Sequence, residues 1–107
     1  MANIKEIKED EYEFETSQGL VLVDFWAPWC SNCRMLAPSF DQLAEKYDGK
    51  IRFLKINADE FNDFASEKGV ESLPTLILYK DGKELDRSVG FKLRVALERW
   101  IDGLTQN

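Results

Sequence analysis

The longest apolar stretch of the chain is Leu20-Val21-Leu22-Val23-Asp24-Phe25-Trp26, interrupted by one carboxylate. Unbroken rather than alternating hydrophobicity predicts a strand covered on both faces, as in an α/β sheet. Ile51-Arg52-Phe53-Leu54-Lys55-Ile56 and Thr75 to Tyr79 predict two more strands. Between the first two, Leu36, Phe40, Leu43, Ala44 and Tyr47 recur at three- and four-residue spacing, which predicts a helix opening from Cys33. Pro38 falls inside that run and predicts a kink, because it lacks a donor and crowds the preceding turn. Asp48-Gly49-Lys50 closes the helix, with Gly49 in the C-cap role. Strand, helix and strand then form a right-handed parallel unit.

Weaker patterns fill in the rest. Ile4 to Ile7 reads as a short edge strand. Over Lys8 to Thr16, strand and helix readings compete, because Tyr12 and Phe14 alternate with glutamates. Glu9, Asp10 and Glu11 suit a helix N-terminus, which favours a short helix anchored by Tyr12 and Phe14. Ser17-Gln18-Gly19 is a turn. Asp59 is placed as the cap of a helix over Glu60 to Lys68 that buries Phe61, Phe64 and Ala65 and stops at Gly69. Asp81-Gly82 predicts a hairpin returning through Glu84 to Val89. Gly90 leads into a last helix with Leu93, Leu97, Trp100, Ile101 and Leu104 as its apolar stripe. The expected order is β-α-β-α-β-α-β-β-α: an α/β domain over residues 1–107 with a central mixed sheet and helices on both faces.

Composition narrows the chemistry. The chain has 107 residues, 44% of them hydrophobic, and no histidine. At this length size scaling gives a folded surface of roughly 6,000 Å², enough burial for a core without staples. Without histidine there is no imidazole base, no Ser-His-Asp or Cys-His arrangement and no imidazole metal ligand. The net charge of −6 argues against a nucleic-acid partner. No apolar run approaches 18 residues, so no membrane span is expected. Met1-Ala2-Asn3-Ile4-Lys5-Glu6 contains no signal-peptide core, which points to a reducing, cytoplasmic setting. After assignment of the core no large apolar stripe remains, so a monomer is expected.

The two cysteines lie in Cys30-Ser31-Asn32-Cys33, after a strand and Ala27-Pro28-Trp29, at the opening of a helix. Three chemistries compete there. Two thiolates with carboxylates make a poor zinc site, since half of the usual ligand set is missing. Two inert buried cysteines are the structural alternative. A redox pair fits best, because cysteines three apart on a first helical turn can approach bonding distance. The helix end favours a thiolate on Cys30, which should be exposed. Cys33, pointing inward, would resolve the mixed disulfide.

Asp24, in mid-strand, should carry a raised pKa and have a partner. As a functional group it would accept and return the Cys33 proton through water; as a structural one it would be satisfied at a sheet edge by hydroxyls or a lysine. Lys55, on the neighbouring strand, either pairs with Asp24 or faces solvent. Trp26 is expected in the core, Trp29 half-exposed on a substrate surface, and Trp100 and the remaining phenylalanines in the core. Ser72-Leu73-Pro74-Thr75 precedes a strand, and a free backbone at Leu73 suits β-augmentation by an extended substrate.

Val23 to Cys30, Cys33-Arg34-Met35-Leu36-Ala37-Pro38, Phe53 to Asn57, Leu73-Pro74-Thr75-Leu76, Lys80-Asp81-Gly82-Lys83 and Val89-Gly90 together resemble a thioredoxin, of bacterial type, across residues 20 to 104. The resemblance implies a protein-disulfide reductase with no bound cofactor, a redox-active Cys30–Cys33 disulfide, and electrons from an NADPH-dependent flavoprotein reductase. It implies disulfide-containing client proteins as substrates. It makes Cys30 the nucleophile, Cys33 the resolving cysteine, Asp24 the proton carrier, Lys55 its neighbour and Pro74 a cis-proline facing the cysteines. Trp29, Ser31, Asn32, Leu73, Pro74 and Gly90 become the substrate-docking set. A more oxidising oxidase or isomerase, and a non-catalytic binding module on the same fold, are the alternatives.

Two departures stand out. Ser31-Asn32 replaces the Gly-Pro usual in the family, which frees a backbone amide near the sulfurs and adds polar groups that stabilise a thiolate. The expected result is a more oxidising pair. Glu71-Ser72 places an acidic group on the presumed docking edge, where the family often has a small or basic residue and glycine.

Overall fold

The computed structural model describes residues 3–106; Met1 and Ala2, the start of the amino-terminal stretch considered above, lie outside them. Five strands form one sheet: β1 (Ile4–Ile7), β2 (Leu20–Trp26), β3 (Ile51–Asn57), β4 (Thr75–Lys80) and β5 (Lys83–Val89). Their spatial order is β1-β3-β2-β4-β5. β1, β3 and β2 run parallel, and β4 and β5 are antiparallel additions. A 3₁₀ turn (Glu9–Glu11) leads into α1 (Tyr12–Thr16), followed along the chain by α2 (Ser31–Lys46), α3 (Asn62–Glu67) and α4 (Arg94–Thr105). This is the thioredoxin-type arrangement of a mixed sheet between helices, and its element order matches the sequence expectation.

The sheet separates two cores because side chains alternate along each strand. Val21, Val23 and Phe25 of β2 pack with Tyr12, Ala65 and Ile77 on the α1/α3 face. Leu22 joins Leu36, Phe40, Phe53, Leu97 and Ile101 on the α2/α4 face. The same alternation directs Asp24 to the α2/α4 face. β2 is central and covered on both sides, which explains its unbroken apolar sequence. The accessible surface, 6208 Å², agrees with the size expectation.

The β4–β5 connection is a two-residue hairpin in which Asp81 and Gly82 both take positive φ, 51° and 85°. That geometry matches the right-handed strand twist and explains the Asp-Gly pair. The Asp81 carboxylate also accepts a hydrogen bond from the Gly19 N–H, tying this turn to the one before β2.

Several local expectations are corrected. α2 begins at Ser31 rather than Cys33 and runs to Lys46, with Pro38 inside it as expected. Phe14 is 81% exposed, not an anchor. On a short helix, Tyr12, Glu15 and Thr16 share the inward face, and Phe14 falls outside that i, i+3, i+4 set. Glu15 is instead buried against Lys5 and Arg52, a pairing that the charge pattern did not reveal. Asp59 does not cap α3; the N-cap position is Phe61. Leu93 is exposed at the N-cap of α4, just outside the helix whose inward stripe holds Leu97 and Ile101. Trp100 is half-buried, its indole N–H donating to Asp86.

Candidate active site

Strand β2 ends at Trp26, and after four residues, the last of them Cys30, the chain enters α2 at Ser31. Cys30 is the N-cap residue of α2, with extended backbone (φ −86°, ψ 110°). Its Sγ accepts a hydrogen bond from the Cys33 N–H at 3.2 Å, so sulfur occupies the place of a capping oxygen. Cys30 and Cys33 form a disulfide, with Cα atoms 5.3 Å apart. The expected exposure of Cys30 is corrected: Cys30 and Cys33 are both buried, at 7% and 6%. Ala27 is buried with them, and Trp26 and Leu73 pack against the group. Ser31 and Asn32 face solvent on the first turn of α2.

Each sulfur-bearing residue borders its own cleft. Trp29, Cys30, Asp59, Asn62, Glu71 and Leu73 contribute to one of about 210 Å³ on the α3 side. Trp26, Ala27, Pro28, Cys33, Arg34 and Lys55 contribute to another, of about 230 Å³, beneath the start of α2. A cleft of about 480 Å³ lies at the opposite ends of β2 and β3, among Lys5, Glu15, Lys50 and Arg52, away from the cysteines. Its central carboxylate, Glu15, is already engaged by Lys5 and Arg52.

Asp24 is 3% exposed. Burial pushes its pKa up to about 7, with Lys55 opposing the rise and Glu6 adding to it. Its expected partner is absent: Oδ1 has no hydrogen-bond partner among the described residues. Of the two alternatives for Lys55, the ion pair with Asp24 does not form. Lys55 is the register partner of Asp24 on β3, yet its Nζ lies over the Trp26 ring, 4.7 Å from the centroid. A cation over an indole face is stabilised there without reaching the carboxylate. Trp26 is correspondingly half-buried, rather than in the core.

Trp29 is 64% exposed. Its indole N–H donates to Asp59 at 3.0 Å, which gives Asp59 a task at this surface in place of the expected cap. The peptide bond between Leu73 and Pro74 is cis. Pro74 is buried, and its C=O accepts the Gly90 N–H at 2.8 Å, joining the loop before β4 to the one before α4. Among the described residues neither the N–H nor the C=O of Leu73 is hydrogen bonded. The fold thus gathers Trp29, Cys30, Cys33, Leu73 and Pro74 at one end of the sheet, with Asp24 and Lys55 behind α2.

Two contributors were given no role by sequence reasoning. Arg34 donates to the Pro28 C=O at 2.9 Å and lines the Cys33 cleft. Glu6 accepts the Trp26 indole N–H at 3.0 Å. The available signal for Glu6 was its position two residues beyond Ile4, which puts it on the α2/α4 face with Asp24.

The Thioredoxin family model matches residues 3–103. The thioredoxin of Bacillus subtilis (strain 168) is 43% identical over 94 residues, 88% of this chain and 90% of its own length. The thioredoxin of Staphylococcus epidermidis (strain ATCC 12228) is 41% identical over 102 residues, 95% of this chain and 97% of its own. That of Synechocystis sp. (strain PCC 6803) is 47% identical over 83 residues, 78% and 75% of the two chains.

Proposed function

The chain belongs to the thioredoxin family, and from that membership and the site geometry we propose that it is a protein-disulfide reductase working by dithiol–disulfide exchange. The observation that carries the reading is the Cys30–Cys33 disulfide at the N-cap of α2, beside Leu73, whose backbone makes no hydrogen bond among the described residues.

In the reduced protein the Cys30 thiolate is favoured by the Cys33 N–H and the positive end of a 16-residue helix. It attacks one sulfur of a client disulfide. A Cys30–client bond forms, the client S–S bond breaks, and the departing thiolate takes up a proton. Asp24 then accepts the Cys33 proton. The Cys33 thiolate attacks the Cys30 sulfur, the internal disulfide forms and the second client thiolate leaves. Two electrons pass from the dithiol to the client. With a pKa of about 7, Asp24 can accept and return a proton at neutral pH. Lys55 modulates its charge.

Trp29, Ser31, Asn32, Leu73, Pro74 and Gly90 form the client surface, where an extended segment pairs with the Leu73 backbone. Clients are disulfide-containing proteins, and a flavoprotein reductase using NADPH returns the dithiol. The protein acts as a single thioredoxin-like domain over residues 1–107, monomeric and cytoplasmic. No helix among the described residues is long and apolar enough to cross a membrane.

Catalysed insulin reduction tests this reading. With dithiothreitol as donor, insulin should precipitate faster in the presence of the protein, and NADPH with a thioredoxin reductase should replace dithiothreitol. No acceleration with either donor would leave only a binding module.

The Ser31-Asn32 pair favours a second, more oxidising poise. Both residues are exposed beside the sulfurs, and position 32 retains a backbone N–H that proline would lack. One added hydrogen bond to the thiolate, of about 1 kcal/mol, raises the potential by roughly 20 mV. Equilibration with glutathione should place this protein above its Ser31→Gly/Asn32→Pro variant. A potential equal to or below that of the variant would remove the dipeptide as the cause.

A further inference from the structure

Glu6, Lys55 and Asp24 form a continuous row across three adjacent strands. Glu6 on β1 is in register with Lys55 on β3, and Lys55 is in register with Asp24 on β2. Strand alternation sends all three to the α2/α4 face. Exposure falls along the row, from an exposed Glu6 through a half-buried Lys55 to the buried Asp24. The signs alternate, so one lysine stands between two carboxylates. Trp26 locks the arrangement: its indole N–H is held by Glu6, and its ring carries the Lys55 ammonium.

We infer that Glu6 is a positioning residue for the proton step, fixing Trp26 and Lys55 so that part of the lysine's charge is withheld from Asp24. The inference rests on the proposed reductase reading for its role in turnover, while its effect on Asp24 stands on the geometry alone. Without the Glu6 charge, the Trp26 indole is held less tightly, by a neutral acceptor at most, and Lys55 loses its solvent-side counter-charge. The only carboxylate left in the row is then Asp24, whose Oδ1 has no hydrogen-bond partner among the described residues. Lys55 swings inward, and the buried carboxylate holds its proton less tightly. Both consequences have the same sign, since removing the Glu6 charge itself also eases ionisation of Asp24.

The other surroundings of Asp24 leave these two charges in control. Leu76, its register partner on β4, is apolar. From α2, Cys33 and Arg34 line the same cleft as Lys55, and the Arg34 guanidinium is turned to the Pro28 C=O. α4 contributes Leu97 and Ile101 to this face. Partial burial raises the Glu6 pKa against the opposing effects of Trp26 and Lys55, and Glu60, beyond the row, adds to the rise. The cleft bounded by Trp26, Cys33 and Lys55 places the lysine of the row and the resolving cysteine on the walls of one space.

The test is the titration of the Asp24 carboxyl carbon by NMR in the oxidised protein, which requires no turnover. Glu6→Gln should lower the midpoint by roughly half a pH unit, a threefold change in proton affinity. Glu6→Asp, which keeps the charge, should recover most of that shift. In a Lys55→Gln background the Glu6→Gln increment should shrink, because the lysine transmits it. An unchanged midpoint in Glu6→Gln, an equal shift in Glu6→Asp, or an undiminished increment without Lys55 would each overturn the proposal. The pH profile of insulin reduction should move by the same amount and in the same direction. If the parent protein does not reduce insulin, the reductase reading fails and the carbon titration still decides the role of Glu6.

Discussion

Cys30→Ser is expected to bring insulin reduction down to the rate of dithiothreitol alone, whereas Cys33→Ser should stall with the client covalently attached. The two thiols make unequal demands on their surroundings. Cys30 caps α2, and its sulfur accepts the Cys33 N–H. A serine there preserves the cap, since hydroxyl is among the best N-cap acceptors, but it has no thiolate to attack with. Loss of activity in a correctly folded Cys30→Ser protein would therefore report chemistry rather than structure. Cys33 comes after the first attack. Its replacement leaves Cys30 able to form the mixed disulfide and removes the group that breaks it. A non-reducing gel should show Cys33→Ser as a slower-migrating adduct that dithiothreitol dissolves, and Cys30→Ser without one. Residual turnover in Cys30→Ser, or an adduct formed through Cys33, would exchange the two assignments.

The largest stability effect is expected at Asp24. An aspartate ordinarily titrates at 3.8, and burial raises this one to about 7. The folded state thus binds the proton more tightly than the unfolded chain does. Stability falls as pH rises between the two values, because ionisation must then take place in a buried site. Below pH about 4 the carboxyl is protonated in both states and the burden is absent; above pH about 7 it is fully in place. Three pH units correspond to roughly 4 kcal/mol. Asp24→Asn has nearly the same shape and no ionisation. Oxidised Asp24→Asn should be more stable than the parent by a few kcal/mol at pH 8, and the difference should vanish near pH 4. Urea unfolding of both proteins across that range measures it. A constant difference, or one that grows toward acid, would mean that Asp24 is satisfied in the fold by something other than its proton. On the proposed mechanism the same substitution should also slow the Cys33 step, so a gain in stability would come with a loss of turnover.

Strand and helix periodicity made most of this architecture legible. β2 shows why: burial on both faces leaves an unmistakable run, and a single carboxylate inside it marks a site where chemistry opposes packing. The Cys30–Cys33 spacing was equally plain, because strand, Ala-Pro-Trp and helix together set its context. Phe14 and Leu93 were misjudged for a shared reason. Each is a large apolar residue near a helix terminus, where one position of phase decides between core and solvent. Asp59 was misplaced because a local cap and a distant indole compete for the same carboxylate, and only the fold brings Trp29 within reach. The buried state of Cys30 depends on Leu73, forty-three residues away. Glu6 and Lys55 illustrate the limit of one-dimensional reading: their relation exists only through strand register.

The order β1-β3-β2-β4-β5 leaves two strands with unpaired sides, and both are poor templates for another chain. β1 is four residues long and presents Lys5 and Glu6 to solvent. β5 presents Lys83, Glu84 and Asp86 interspersed with exposed Leu85 and Val89, with Arg87 tied to Glu84. Short or charged borders of this kind resist edge-to-edge aggregation. A stray strand is refused at the flanks, while the open peptide groups of Leu73 stand next to the cysteines. On the proposed reading, charged flanks that discourage self-assembly leave the Leu73 backbone, beside the cysteines, as the place for an incoming chain to pair.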